Sequence, residues 1–233
     1  MIISEIEILG IIIREPGTFI SDLLMGIVCL FFYFKLKQKA QNKQQKFLSF
    51  FFLFLAISSS IAALAHGLVL YFGKTLHVLG WSFGASAVYY ILTGSSDMIK
   101  NQSLKVFYKW FNLIQLILLI FFLLISPDFT LVKISFAFSL LGILLPLYII
   151  DSIKNYSIAH FYIFFGIAIA CIPALFHTAQ FEFGYIFNMN DLSHFMLMIC
   201  FYFIYIGLQK RFFDVSKDSQ VAEDKEFVEI SAN

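Results

Sequence analysis

The sequence FLSFFFLFLAISSSIAALAHGLVLYF, residues 47–72, is the stretch that decides the fold of this 233-residue chain. A helix needs about 20 mostly apolar residues to cross a bilayer. This stretch contains no Asp, Glu, Lys or Arg and one histidine, His66. The whole chain has the same character, since 60% of its residues are hydrophobic and only 13% are charged. Such a composition lies outside the range of soluble domains. The sequence therefore predicts an all-α integral membrane protein.

Six further apolar runs complete the predicted bundle. With residues 47–72 they give seven crossings, at 17–34, 47–72, 76–93, 106–125, 130–150, 158–177 and 191–208. The connections between them are short, so the residues 17–209 form one seven-transmembrane-helix domain. Helical spacing of apolar residues predicts a short amphipathic interfacial helix in residues 1–16. The mixed charges of residues 210–233 predict a disordered tail.

The distribution of lysine and arginine predicts the orientation of the chain. Loops that stay in the cytoplasm carry an excess of these residues. One predicted face holds thirteen of them: Lys35, Lys37, Lys39, Lys43, Lys46, Lys100, Lys105, Lys109, Lys154, Lys210, Arg211, Lys217 and Lys225. The opposite face holds Arg14, Lys74 and Lys133. The N-terminus is therefore predicted outside and the C-terminus in the cytoplasm, which requires an odd number of crossings.

The composition and the short loops also predict the kind of partner and the cellular location. Membrane lipid is the expected partner, nothing in the sequence supports nucleic-acid binding, and no protein partner is indicated. Short loops and a chain rich in Phe and Lys are typical of a bacterial inner (cytoplasmic) membrane. Ordinary topology accounts for the lysine-rich first loop without a lipid-binding role.

Histidines near the ends of the predicted spans indicate a site at the outer face. Four of the five histidines lie there: His66, His77, His177 and His194. Asp22 and Asp191 fall in the same layer. Ionisable side chains near hydrocarbon are costly and usually face a bundle interior or a cavity. The layer is therefore the candidate functional site.

The residue types in this layer suit a catalytic zinc ion. Zinc takes imidazole and carboxylate ligands and keeps an open position for water, whose pKa it lowers. The candidate ligands are His66, His194 and His177, and Asp22 or Asp191 could move a proton during attack on an amide or ester carbonyl.

Each of these residues also has a structural interpretation. Both carboxylates lie in the first turn of a predicted helix, where unpaired backbone amides and the helix dipole stabilise negative charge. His66 and His194 could be satisfied by mutual hydrogen bonding or by Ser59, while His77 and His177 could be hydrated.

Three short patches resemble an uncharacterised family of bacterial seven-helix proteins. They are Phe187-Asn188-Met189-Asn190-Asp191-Leu192-Ser193-His194, Ala65-His66-Gly67, and Glu15-Pro16-Gly17-Thr18-Phe19-Ile20-Ser21-Asp22. That family is distantly similar to the superfamily of alkaline ceramidases and adiponectin-type receptors, in which histidines on the second and last helices bind zinc with support from a serine and an aspartate. The resemblance implies a second-helix ligand at His66 and a last-helix ligand at His194.

The sequence departs from the superfamily pattern at several positions. The last helix has Asn190 and Met198 four residues on either side of His194, so it lacks a His-x-x-x-His pair. The expected serine one turn before His66 is Ala62, and Asp97 lies at the opposite face. Three functions stay open: a non-enzymatic sensor, receptor or scaffold on a ceramidase-like fold, which is favoured, a metal-dependent lipid amidase or esterase, and a small-molecule or ion carrier.

Overall fold

The structure is a computed structural model that describes residues 4–173 and 188–231, with side chains to residue 213. The described part is all-helical apart from one N-terminal hairpin. The two strands are β1 (Glu5–Ile8) and β2 (Ile11–Arg14). The helices are α1 (Pro16–Lys37), α2 (Lys43–Gly67), α3 (Val69–Phe72), α4 (Thr75–Gly94), α5 (Gln102–Ile125), α6 (Phe129–Ala137), α7 (Leu145–Asn155), α8 (Ile158–Ile169) and α9 (Met189–Ser231). A 3₁₀ turn, Ser95–Met98, follows α4, and a π-helical segment, Phe138–Leu144, joins α6 to α7.

Among the residues that the structure describes, five helical segments are long and apolar enough to cross a membrane: Pro16–Lys37, Lys43–Gly67, Gln102–Ile125, Phe129–Asn155 and Met189–Phe213. These confirm the prediction of an all-α membrane protein. A shorter apolar helix is present at Ile158–Pro173.

Glycines and serines allow α4 to pack closely along α2. Ser58 Oγ donates a hydrogen bond of 2.8 Å to the carbonyl of Gly80. At the other end of the contact, a Cβ on Gly94 would lie 3.0 Å from the backbone nitrogen of Leu48. The two helices therefore run antiparallel and in contact over most of the length of α4.

Aromatic side chains form much of the core between α1, α2 and α9. The rings of Phe32 and Tyr205 stack with centroids 4.4 Å apart, and Phe52 meets Phe32 edge-on at 5.4 Å. Cys29 and Cys200 are fully buried and Cys171 is partly buried, all as free thiols. Phenylalanines at these positions therefore serve as packing residues of the core.

The N-terminal segment is a β-hairpin, so the interfacial helix predicted for residues 1–16 is wrong. Its strands pair antiparallel, with Ile6 opposite Ile13 and Ile8 opposite Ile11. Leu9 and Gly10 both have positive φ, at 53° and 79°, as a two-residue turn matched to the twist of a hairpin requires. The β-branched isoleucines, which alternate with glutamates in residues 5–8 and are consecutive in residues 11–13, favour this pairing over a helix.

The tail also differs from the prediction of disorder. The backbone of α9 continues as a helix to Ser231. No glycine or proline occurs after Gly207, so the sequence contains neither of the two residues that most strongly interrupt a helix. Residues 210–231 are thus an extension of the last helix.

Candidate functional site

Four helix ends meet at one end of the bundle and carry its ionisable side chains. They are the N-termini of α1, α4 and α9 and the C-terminus of α2. We call the side chains gathered there the histidine-carboxylate cluster, which consists of Glu15, Asp22, His66, His77, Asp191 and His194. We call the end that holds them the histidine end.

Asp191 ties the first turn of α9 to α1. Its Oδ1 accepts hydrogen bonds from Thr18 Oγ1 at 2.9 Å and from Ser21 Oγ at 3.4 Å. Its Oδ2 accepts one from the backbone N–H of Asn188 at 2.8 Å. The side chain of Asn188 in turn accepts from the N–H of Asp191. This reciprocal arrangement is a capping box, so the predicted capping interpretation holds for Asp191 and a tertiary contact is added to it.

His194 contacts α1 through both ring nitrogens. Its Nδ1 lies 2.9 Å from Ser21 Oγ and its Nε2 lies 3.4 Å from Asp22 Oδ1. Asp22 is 1% exposed. Within the described part of the chain its Oδ2 has no hydrogen-bond partner. The predicted capping interpretation thus does not account for Asp22, whose contact is with α9.

His66 pairs with Glu15, a residue that the sequence analysis did not select for the site. The distance from His66 Nδ1 to Glu15 Oε2 is 2.8 Å. Glu15 has a left-handed backbone, with φ 46°, and its N–H donates to the carbonyl of Ser4 at 2.9 Å. The hairpin therefore sets the position of this carboxylate. On its other side, His66 meets His77 edge-on at 5.1 Å between centroids, and His77 lies 5.7 Å from the Trp81 ring.

The hydrogen bond from His66 lowers the pKa of Glu15 below its ordinary value of 4.5, and partial burial opposes this effect. A carboxyl whose pKa is lower in the folded state stabilises the fold above its ordinary pKa, and this contribution disappears as the pH falls through the folded pKa. We expect Glu15→Gln to remove about 1 kcal/mol of stability near neutral pH and little below the folded pKa.

Thermal unfolding in detergent between about pH 3 and pH 7 measures this dependence. Glu7→Gln is the matched control, because Glu7 is exposed on the same hairpin. An equal loss of stability for Glu15→Gln at both ends of the pH range would contradict the expected linkage.

Most of the predicted site residues are brought together. Asp22, Asp191, His66 and His194 all belong to the histidine-carboxylate cluster, while His177 lies outside the described residues. Ser59, an expected partner of His66, is replaced in that role by Glu15. The sequence analysis also missed Thr18, Ser21 and Asn188 as members of the hydrogen-bond network; their polarity at helix starts was the available signal.

The zinc prediction is not tested by the described residues. Among them, no group of three His, Cys, Asp or Glu side chains is arranged to hold a metal ion. The predicted ligands are His66, His194 and His177, and His177 lies outside the described residues.

The opposite end of the bundle has its own polar contact, which we call the arginine clamp: the buried residues Ser95, Tyr148 and Arg211 and the exposed residue Asp97. Arg211 Nη2 donates to Asp97 Oδ1 at 2.6 Å, and its Nη1 donates to the Tyr148 hydroxyl at 3.0 Å. Tyr148 and Ser95 are joined by a further hydrogen bond of 2.9 Å. Asp97 thus lies at the face opposite the histidine end, as the sequence analysis predicts, and pairs there with Arg211.

Comparison with known proteins gives a family without an assigned activity. No curated protein and no solved structure matches the chain, so the similarity to ceramidases and adiponectin-type receptors stays an expectation. The model of a family of unknown function, DUF6962, matches residues 17–211, which include every helix of the membrane domain and all of the histidine-carboxylate cluster except Glu15. The chain belongs to this family of unknown function, DUF6962.

Proposed function

We propose that this protein is a proton-responsive membrane sensor, with the histidine-carboxylate cluster as its proton-binding site. The observation that carries the proposal is the line of contacts Asp22, His194, Ser21, Asp191, which joins α1 to α9. Imidazole is the side chain whose charge changes near physiological pH.

A count of donors and acceptors along this line favours a doubly protonated His194. A neutral imidazole has one N–H, a protonated one has two, and a serine hydroxyl has one proton to donate. When His194 is protonated, Nδ1 can donate to Ser21, Nε2 can donate to Asp22, and Ser21 can donate to Asp191. Loss of one proton leaves one of these contacts without a donor. Proton binding therefore strengthens the junction between α1 and α9.

Electrostatics act in the same direction across the whole cluster. Asp22 is close enough to Glu15 and to Asp191 for its carboxylate to be repelled by each of them, and close enough to His66 for attraction. With neutral imidazoles the cluster concentrates negative charge in a partly dry layer. With protonated imidazoles the charges are paired. The external pH would thus set the free energy that holds the helix ends together.

The proposed sensor crosses the membrane seven times. Helix α4 lies along α2 over most of its own length, and Ile158–Pro173 is apolar. We propose that both cross the membrane with the five longer segments, giving seven crossings. We propose, with the one-sided lysines as support for the orientation, that the histidine end faces outward and that the arginine clamp lies at the cytoplasmic face. The membrane that we propose is a bacterial inner membrane.

Trp81 provides a direct test because it lies beside His77. The second tryptophan, Trp110, is 61% exposed on α5 and can be removed as Trp110→Phe. In this background we expect the fluorescence of Trp81 to titrate between about pH 5 and pH 8. His66→Gln should shift or abolish the transition. His160→Gln, at the opposite end beside Asp151, should leave it unchanged, and a flat titration would refute the proposal.

A second measurement tests whether a change of charge in the histidine-carboxylate cluster alters the structure around the arginine clamp. Asp22→Asn mimics a protonated carboxyl, and hydrogen exchange at one fixed pH can compare this variant with the wild type. We expect the variant to alter exchange of the backbone amides in Ser95–Met98, the segment that carries two members of the arginine clamp. Unchanged exchange there would leave proton binding without a response and would refute the sensor.

One observation favours a lipid amide or ester hydrolase as a second candidate. Ser21, His194 and Asp22 have the contacts of a nucleophile, a base and an orienting carboxylate. In that function His194 Nδ1 would accept the Ser21 proton while Asp22 holds the other nitrogen. Release of fatty acid from ceramide or monoacylglycerol vesicles, lost in Ser21→Ala and retained in Ser193→Ala, would favour the hydrolase over the sensor.

A further inference from the structure

A recess between α4 and α5 opens at the histidine end. It lies between the first half of α4 and the end of α5, and its volume is about 440 Å³. Sites for small molecules measure about 300–1,000 Å³, so this space admits a ligand. We call it the α4–α5 groove. Its wall on α4 consists of Lys74, Thr75, Val78, Leu79 and Ser82.

The groove is polar at its mouth and apolar further in. Lys74 and Thr75 lie at the start of α4, where the chain enters the membrane domain. The walls continue with Val78 and Leu79 on α4 and with the two leucines at 123–124 on α5. A lipid in the same leaflet has this order of groups, with a polar head at the surface and hydrocarbon below it.

The length of the groove matches one leaflet. Lys74 and Ser82 are eight residues apart on α4, which corresponds to about 12 Å along the helix. Half of a hydrocarbon core of about 30 Å is about 15 Å. At the inner end, Ser82 Oγ donates its proton to the carbonyl of Val78 at 2.8 Å, so this hydroxyl is satisfied within its own helix.

The mouth of the groove carries an excess of positive charge. Lys74 Nζ donates one long hydrogen bond, of 3.5 Å, to the carbonyl of Pro127, and an ammonium group has three N–H donors. The exposed Asp128 is close enough to attract both Lys74 and Lys133. Its Oδ1 accepts the backbone N–H of Thr130 at 2.8 Å. Two cations therefore share one carboxylate, and the mouth attracts an anion.

The side of the groove is open to the surroundings of the bundle. Leu79 is 46% exposed and Leu124 is 70% exposed. Helix α5 is long and apolar enough to cross a membrane, and most of its residues are exposed. In a bilayer these exposed leucines face hydrocarbon, so an acyl chain can enter the groove from the membrane.

We propose that the α4–α5 groove binds one anionic phospholipid of the leaflet at the histidine end, with its phosphate on Lys74 and one acyl chain against the leucines. A soluble anion would leave the apolar walls uncovered, and a lipid without net charge would leave the positive mouth unpaired. The inference rests on the crossing of α4 that belongs to the proposed function. It does not require proton binding by the histidine-carboxylate cluster.

Mass spectrometry of the intact full-length protein, released from detergent micelles, tests this site. The probes are phosphatidylglycerol and phosphatidylcholine with identical acyl chains. We expect one saturable phosphatidylglycerol, bound about fivefold more tightly than phosphatidylcholine, since one lysine near the surface supplies attraction of this size. Lys74→Gln should weaken the binding of phosphatidylglycerol about fivefold and leave that of phosphatidylcholine unchanged.

Two matched controls separate the groove from the general surface. Lys133→Gln removes a positive charge close to Asp128, but Lys133 does not line the groove, so we expect binding like that of the wild type. Leu124→Trp places a larger ring at the rim of the groove and should weaken the binding of both lipids. Ile125→Trp alters the next residue, which is 65% exposed and outside the groove, and should bind both lipids normally.

Three outcomes would overturn the proposal. Equal affinity of Lys74→Gln and the wild type for phosphatidylglycerol would remove the lysine from recognition. An equal loss in Lys133→Gln would indicate attraction to the surface as a whole. Binding of successive lipids without saturation would indicate ordinary boundary lipid. The Trp81 titration is measured separately, so failure of the groove and failure of the proton sensor give different results.

Discussion

Replacing Gly207 by alanine is expected to lower the stability of the folded protein by about 1–3 kcal/mol. The reason is the close approach of α8 and α9. A Cβ at this position would lie 2.6 Å from the carbonyl oxygen of Ala159 and 3.0 Å from the backbone nitrogen of Ile163. Both are backbone atoms, so the two helices must separate to admit a methyl group.

Gly142→Ala is the matched control for this substitution. A Cβ on Gly142 would meet only the ring of Phe138, at 3.6 Å, which is an ordinary contact. The midpoint of thermal unfolding of the purified variants compares the two positions. Equal midpoints for the two variants would contradict the close packing of α8 against α9.

Asp191→Ala is expected to cost about 3 kcal/mol. The carboxylate accepts hydrogen bonds from Thr18, Ser21 and the N–H of Asn188. Its removal leaves the buried Thr18 hydroxyl without its acceptor, whereas Ser21 keeps the Thr18 carbonyl, and it also opens the capping box at the start of α9. Each buried donor left unsatisfied costs about 1–3 kcal/mol.

Two further variants separate these contributions. Thr18→Val removes the shorter of the two hydrogen bonds from α1 to Asp191 and leaves the capping box, so we expect a loss of about 1 kcal/mol. Ser193→Ala is the control, because the buried Ser193 hydroxyl has no hydrogen-bond partner among the described residues. Chemical unfolding monitored by circular dichroism measures all three. An Asp191→Ala variant as stable as Ser193→Ala would contradict the network.

The membrane helices were accessible to sequence reasoning because hydrocarbon imposes a simple condition. A run of residues that satisfies all its backbone groups internally and exposes apolar side chains must be a helix. The apolar run at 47–72 predicts one helix, whereas the structure has Lys43–Gly67 followed by the short turn Val69–Phe72. The polar residues 43–46 extend the first end of the helix, and the helix ends at Gly67 because Leu68 leaves the helical conformation.

The hydrogen-bond partners of the site residues were harder to predict from the sequence. His66 and His194 are identified by their depth, but Glu15 reaches His66 only because a hairpin and a left-handed residue bring it there. Neither feature has a periodic signal. The pairing of Asp97 with Arg211 joins residues 114 positions apart, and such a contact depends on which helices are neighbours. The order of helices in the bundle is not encoded in hydropathy.

The continuity of α9 gives the molecule a mechanical property. His194 and Arg211 lie 17 residues apart on one helix, with no proline between them, which corresponds to about 26 Å along its axis. A continuous helix of this length is a stiff connection between its two ends. A small axial shift or rotation at His194 is therefore transmitted to Arg211, which is held by Asp97 and Tyr148. The helix continues beyond this contact to Ser231.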